Sequence, residues 1–500
     1  MVHRNRLKSS LFVLSAFLIL SVFTNTKIGA AQSDGLVLEW EQHWETYGVG
    51  STCITSNKLS VADVDGDGVM EIITGGSMSY LVNGTRTASE PTLKIYNWNG
   101  QKITLEKSHK LAGSIGSIYA GDANGDGAIE IIITGRVSNS TGSYPQLRIW
   151  SWDGETLTLE TSYEWAYTIG SIVRSVFISD VDKDGAPEIV TAGRASNDNK
   201  SYAQLCVWQW DGNTLALRKS EEWCAATDAS ANSVYAYDLN NDGEIEIITG
   251  GYDNDLTNSS GQLRIWHWNG EELSLKANVE WRLKDNVYGI TIAGGVQGNT
   301  MVNNVKVGDV DGDGSPEIIT GGFTYDGEKT NAQLRIWNWN GQTLSLEKSH
   351  EWITEDITEV KAMSLNDVDG DEQVDIVTSG MTAVYGSFFD VDTIPETAQL
   401  RVWSWDGNTL TLKQSTDWIV GEGVCAWNNG TGDVDNDGVV EIVTVGCMYV
   451  GTLCDPDLRI WSLQVASDSS ASFPYLPVAI AGTAAVLVTV AAYLFMRKRR

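Results

Sequence analysis

One acidic nonapeptide recurs seven times along the chain: DVDGDGVME from Asp63, DANGDGAIE from Asp122, DVDKDGAPE from Asp180, DLNNDGEIE from Asp238, DVDGDGSPE from Asp309, DVDGDEQVD from Asp367 and DVDNDGVVE from Asp433. A second motif keeps step with it: KIYNWNG, RIWSWDG, CVWQWDG, RIWHWNG, RIWNWNG, RVWSWDG and finally RIWSL, ending at Leu463. Self-similarity at a near-constant period makes each copy one supersecondary unit that cannot bury its apolar face alone. The 500 residues are therefore expected to build one repeat body rather than several domains.

Each unit reads as four short strands, A to D, because its segments are β-branched and aromatic and are parted by Gly, Asn and Asp turns. In the fifth these are VNNVKVG, PEIITGGF, QLRIWNW and TLSLEKSHEW. The Asn-Gly or Asp-Gly pair between the last two suits a two-residue hairpin, where both positions need positive φ. The fold class expected is all-β: a seven-bladed β-propeller of four-stranded antiparallel blades over residues 36–463. The first segment, GLVLEWEQHW, matches strand D, whereas the seventh unit stops after strand C. It is expected to complete the last blade and cover an edge open to aggregation. Tryptophans two apart, such as Trp150 and Trp152, Trp266 and Trp268, or Trp337 and Trp339, project from one sheet face and are expected to wedge between blades. His43, His109 and His350 share one offset in strand D, which marks no lone catalytic imidazole.

Oxygen side chains fall at positions 1, 3, 5 and 9 of each nonapeptide. A hard cation that takes 6 to 8 oxygens can be wrapped by such a loop, with Gly at position 6 for the turn and the carbonyl of position 7 as a further ligand. In the first unit the donors are Asp63, Asp65, Asp67 and Glu71 with the backbone of Val69. An EF-hand would place its bidentate acid at position 12, where the chain has Thr74, Ile133, Thr191, Thr249, Thr320, Thr378 and Thr444.

These motifs resemble the FG-GAP repeats of integrin α-subunit propellers and related prokaryotic surface proteins, over residues 36–463. The resemblance implies a calcium ion in each loop joining strands A and B, up to seven in all. Carried over, the ligands are Asp122, Asn124, Asp126, Ala128 and Glu130; Asp180, Asp182, Asp184, Ala186 and Glu188; and Asp238, Asn240, Asp242, Glu244 and Glu246. The later units supply Asp309, Asp311, Asp313, Ser315 and Glu317; Asp367, Asp369, Asp371, Gln373 and Asp375; and Asp433, Asp435, Asp437, Val439 and Glu441. Two departures stand out: position 9 is Glu in six units where the family usually has Asp, and Glu372 replaces the glycine of the sixth loop.

The ends point to export. A basic start, an apolar run from Leu11 to Phe23 and small residues at Gly29, Ala30 and Ala31 read as a signal peptide over residues 1–31. After a linker at 464–475, residues 476–496 form an apolar stretch long enough to span a bilayer, and the basic tail 497–500 would stay inside. The expected location is a single-pass surface protein with an external propeller. A net charge of −31 argues against nucleic acid as partner. Six cysteines permit disulfides in an exported chain, with Cys53–Cys425, Cys447–Cys454 and Cys206–Cys224 as candidate pairs. Sequons occur at Asn83, Asn139, Asn199, Asn258 and Asn429.

Up-and-down connectivity would put the acidic hairpins and the C to D turns on one face, and the B to C and D to A connections on the other. Insertions near Asp285 to Asn304 and Thr382 to Thr397 lie on that second face. There Tyr288, Tyr385, Phe388 and Phe389 are candidate contacts for a protein or glycan ligand. The function expected is an adhesion or ligand-binding module with structural calcium and no enzyme activity. The competing readings are a propeller enzyme, such as a polysaccharide lyase or quinone-dependent dehydrogenase, and a subunit of an envelope complex. For an enzyme the nearest candidates are Arg136, Arg174 and Arg194, two of which share a repeat position.

Overall fold

The computed structural model describes residues 35–43, 51–82, 85–88, 91–139, 142–165, 171–197, 200–254, 259–282, 291–292, 295–296, 300–326, 328–384, 396–420, 423–450 and 453–464. The expected signal peptide and membrane span lie outside them, as do Tyr288, Tyr385, Phe388 and Phe389. Among the described residues no helix is long and apolar enough to cross a membrane. Gly35–Leu463 forms one compact unit.

The regular elements described are all strands, and they group into four-stranded antiparallel sheets in the manner of a β-propeller. The fifth unit is typical, with strands Thr300–Gly308, Glu317–Tyr325, Thr330–Trp339 and Leu344–Trp352 paired in chain order. Strand B, EIITGGFTY, is buried along nearly its whole length, whereas strand D alternates outward. A continuous apolar run therefore marks the middle of each sheet and an alternating one its rim. Single parallel bridges, Ser201 to Asp228 and Thr330 to Ile357, join units three to four and five to six.

In the last sheet Gly35–His43 pairs with Leu453–Gln464, followed by Glu441–Val450 and Gly423–Gly432. The first and last units also share one core, in which Leu59, Ile72 and Trp98 pack with Val434, Val443 and Ile460. Two features were not anticipated. Thr85–Ala88 adds a strand beside strand B of the first unit, and Thr291–Ile292 pairs with Gly295–Val296 inside the first insertion. That insertion also ends sooner than expected, because strand A of unit five already begins at Thr300.

Tryptophans bind successive units together. The last Trp of strand D meets the first Trp of strand C in the next unit: Trp223 and Trp266 lie 5.0 Å apart, Trp281 and Trp337 5.0 Å, Trp352 and Trp403 5.1 Å, and Trp418 and Trp461 5.0 Å. Arg264, Arg335 and Arg459 of the R-x-W motifs cover these pairs at 5.0, 4.9 and 5.2 Å from a ring, a cation–π contact on each seam. His109 and His350 pack on Trp150 and Trp403.

The position that excludes an EF-hand has its own task. The Trp266 indole donates to Thr249 Oγ1 at 3.0 Å, and the same bond recurs from Trp208 to Thr191, Trp337 to Thr320, Trp403 to Thr378 and Trp461 to Thr444. Where Ile133 replaces the threonine, the Trp150 indole is buried without a hydrogen-bond partner. Thr249→Val should therefore lower stability by about 1–2 kcal/mol, the cost of orphaning a buried donor, measured by chemical denaturation. An unchanged midpoint would show the bond to be dispensable.

The cysteine and glycan expectations need correction. Cys206 and Cys224 are free, since Cys206 stands opposite Ser220 in the B–C–D ladder and Cys224 follows the end of strand D. Cys425 and Cys447 are also free, and face each other across strands A and B. The side chains of Cys53 and Cys454 lie outside the described residues. Asn429 is buried within strand A of the last unit, so a glycan has no room there; the other sequon side chains lie outside the described residues.

Candidate metal centres on the A to B hairpins

Each loop is built around its first aspartate. Asp63 Oδ1 accepts from the Gly66 N–H at 2.8 Å and Oδ2 from the Gly68 N–H at 3.0 Å, Asp67 Oδ1 from Val69 N–H at 2.8 Å, and Glu71 Oε2 from Val64 N–H at 2.9 Å. The position 1 to 6, 5 to 7 and 9 to 2 bonds recur in the other loops, as in Asp122, Asp126 and Glu130 or Asp433, Asp437 and Glu441. The backbone N–H groups of Ala128, Ala186, Glu244, Ser315, Gln373 and Val439 are all held this way by the acid at position 5. Position 6 is left-handed, with φ 92° at Gly68 and 94° at Gly185, which only glycine adopts freely. In the sixth loop Glu372 takes this conformation at φ 68°, a strain of order 1 kcal/mol.

Positions 1, 3 and 9 converge. Carboxylate oxygens of Asp63, Asp65 and Glu71 lie within 4.8 Å of one another, as do those of Asp180, Asp182 and Glu188 and of Asp309, Asp311 and Glu317. Burial, then the neighbouring acids, push Glu71, Glu317 and Glu441 up to about 8 and Glu130 to about 7, against the backbone N–H that each accepts. Crowded carboxylates of this kind call for a proton or a hard cation, and the all-oxygen donor set suits calcium. In units two and four an amide stands at position 3, and Asn124 and Asn240 donate to Asp126 and Asp242 at 3.0 and 2.9 Å.

A further position on strand D lies near the loop in units one, two, five and six. Glu106, Glu160, Arg218, Lys276, Glu347 and Lys413 each fall at the register shift of their C to D ladder, and a β-bulge re-aims a side chain. Glu39 of the first strand joins Asp435 and Glu441 in one acidic triad. Burial and then Asp65 and Asp67 raise the Glu106 carboxyl; burial, Asp311 and Asp313 do the same for Glu347. The in-phase signal was present in the sequence as Leu or Ile, any residue, Leu and then Glu, Lys or Arg, but strict alternation points these residues away from the loop.

The sixth loop differs. Lys413 Nζ lies 2.6 Å from Asp369 Oδ2, 2.9 Å from Asp371 Oδ2 and 2.9 Å from Asp375 Oδ1. Burial works against this ammonium, but its three carboxylate partners hold its pKa above the ordinary lysine value. The site therefore has an internal cation, and Asp367, Asp369, Asp371, Gln373 and Asp375 fit calcium less well than the other sets.

The loops also lie at seams between units. A Cβ on Gly154 would come 2.9 Å from Asp65 Oδ2, one on Gly270 2.9 Å from Asp182, one on Gly407 2.8 Å from Asp311 and one on Gly100 2.6 Å from Asp435. These C to D turns thus lie close against the position 3 acid of the preceding unit, with room only for glycine, and Gly100 carries this from the last unit to the first. The Asn241 side-chain amide donates to Gly314 O at 2.8 Å, linking neighbouring loops. Of the arginines weighed for catalysis, Arg194 pairs with Asp228 at 3.1 Å, while Arg174 stands on a bulge of strand A.

No curated protein matches this chain. Among solved structures, the crystal structure of Sqt1 from Chaetomium thermophilum is similar at a TM-score of 0.43 and 9% identity, over 83% of this chain and 97% of that one, a likeness too loose to carry weight. Residues 180–249 match the FG-GAP-like repeat family. The chain is thus similar to that family over one stretch, and the same loop recurs in register along the described residues on a β-propeller-like fold.

Proposed function

We propose that the chain forms a closed ring of seven blades, stabilised by calcium, that serves as an adhesion or ligand-binding module on the cell surface. The observation that carries this reading is the position of the acidic loops at the seams, where an ion in one hairpin also steadies the adjoining C to D turn. Calcium is then structural, and the opposite face, with both insertions, is left for a protein or glycan partner. The exported, single-pass topology rests on the charge and apolarity of the two termini. Calcium binding falls to the loops with uncompensated acids, and in unit six Lys413 takes the cation's place.

The test is display of the full-length protein on protein and glycan arrays with calcium or with chelator. Saturable binding that disappears on chelation is the expected result. Turnover of a polysaccharide without stable capture would replace this reading with an enzyme.

A further inference from the structure

The A strands line a half-open cavity of about 260 Å³. Its wall is uneven. Tyr119, Phe177 and Tyr235 form an aromatic arc on three successive units, with ring centroids 5.1 and 4.2 Å apart. Next in the circle stands Lys306, whose ammonium lies 5.6 Å from the Tyr235 ring. Small polar residues, Ser60 and Ser364 among them, line the rest. Just along the same strands are Lys58, one residue before the cavity-lining Leu59, and Arg174, one residue before Ser175 and turned out of the ladder by the bulge between Val173 and Ser175.

These cations lack counterions. Lys58 and Lys306 make no ion pair among the described residues, although the chain carries 65 acidic side chains. Elsewhere the rule is pairing: Lys361 with Glu359, Arg194 with Asp228, Arg459 with Glu41 and Asp457. Arg174 feels Asp228 at a distance, but that carboxylate is engaged by Arg194 and the Tyr252 hydroxyl. Burial brings Lys306 to about 8, and burial with the nearby Arg174 does the same to Lys58. Lys58 and Lys306 are half-buried, whereas Arg174 is exposed; a half-buried ammonium without a counterion is a cost to folding, and such costs are retained where a ligand supplies the missing charge.

We infer that the cavity between the A strands binds a small organic anion, in which a carboxylate meets Lys306 and a flat or ring-shaped face lies against Tyr119, Phe177 and Tyr235, while Lys58 and Arg174 add positive charge farther along the strands. The volume is below the range of about 300–1,000 Å³ typical of sites for drug-sized ligands, which limits the occupant to roughly one ring. The acidic field of the rest of the molecule makes this basic cavity a point of selection rather than of general attraction. The site is separate from the calcium loops and does not depend on the adhesion reading.

Calorimetric titration of the full-length, calcium-saturated protein with benzoate and galacturonate, and with benzyl alcohol and galactose as neutral counterparts, tests it. Binding of either acid without its neutral counterpart is expected, and which acid binds tells an aromatic from a sugar ring. Lys58→Met with Lys306→Met should weaken binding at least ten-fold yet raise Tm, because desolvated charges are removed, whereas Lys306→Arg should restore binding. No binding of either acid, equal binding of the neutral compounds, or a double variant with lowered Tm and unchanged binding would each overturn the inference.

Discussion

Chelation of calcium should lower the melting temperature of the full-length protein by on the order of 15 °C. A ligand held only by the folded state adds about 2.7 kcal/mol per site when present at a hundred times its Kd, and several loops contribute together. A kilocalorie shifts Tm by about 2–4 °C in a domain of 150–250 residues and by less in a larger body. The direction of the pH dependence follows from the same acids. Glu71, Glu188, Glu317 and Glu441 are raised to about 8, so without metal the folded state holds protons that the unfolded state has released. Their stabilising contribution is complete below the unfolded carboxyl range near 4.3 and is lost as pH rises through about 8. In chelator the protein should thus melt lower at pH 9 than at pH 6, and calcium should remove most of that difference. A Tm indifferent to chelator at both pH values would refute structural calcium.

Replacing Lys413 should have the second largest effect, read as lost stability in chelator and as an added calcium ion when calcium is present. Asp369 and Asp375 are 10% and 1% exposed beside the ammonium, so Lys413→Met leaves carboxylates crowded without a countercharge. Removing one partner of a buried pair costs about 3–5 kcal/mol, and in chelator the variant should lose about 3 kcal/mol. In calcium the vacated cage can take the ion, so the variant should bind one more calcium per chain than the wild type, counted by atomic emission. Unchanged stoichiometry with unchanged stability would mean that the lysine is incidental.

The nonapeptides could be read without a structure because their ligands are close in sequence and an Asp that caps its own turn makes a local decision. The same holds for the C to D turns, with Gly100 and Gly154 at φ 75° and 83°. The threonines at position 12 were visible too, but as an argument against an EF-hand. Their bond to a tryptophan on the next strand appears only once strands B and C are in register. The guessed Cys206–Cys224 pair failed for a related reason, since neighbouring strands do not by themselves put two residues opposite each other.

The bulges mark where sequence reading stops. Period-2 alternation assigns Lys413 and Glu106 to one face of strand D, and one extra residue in the ladder turns them to the acidic loop. Strand A hides Arg174 in the same way.

By itself, then, the sequence determined the four-stranded repeat, the all-β class and the acids able to hold a cation, because turn chemistry, alternation and ligand spacing all act over fewer than a dozen residues. Only the tertiary structure decided which loop already contains a cation, which units share a core and which charges face inward. These depend on side chains that approach one another across strands and between units, at distances that chain spacing does not encode.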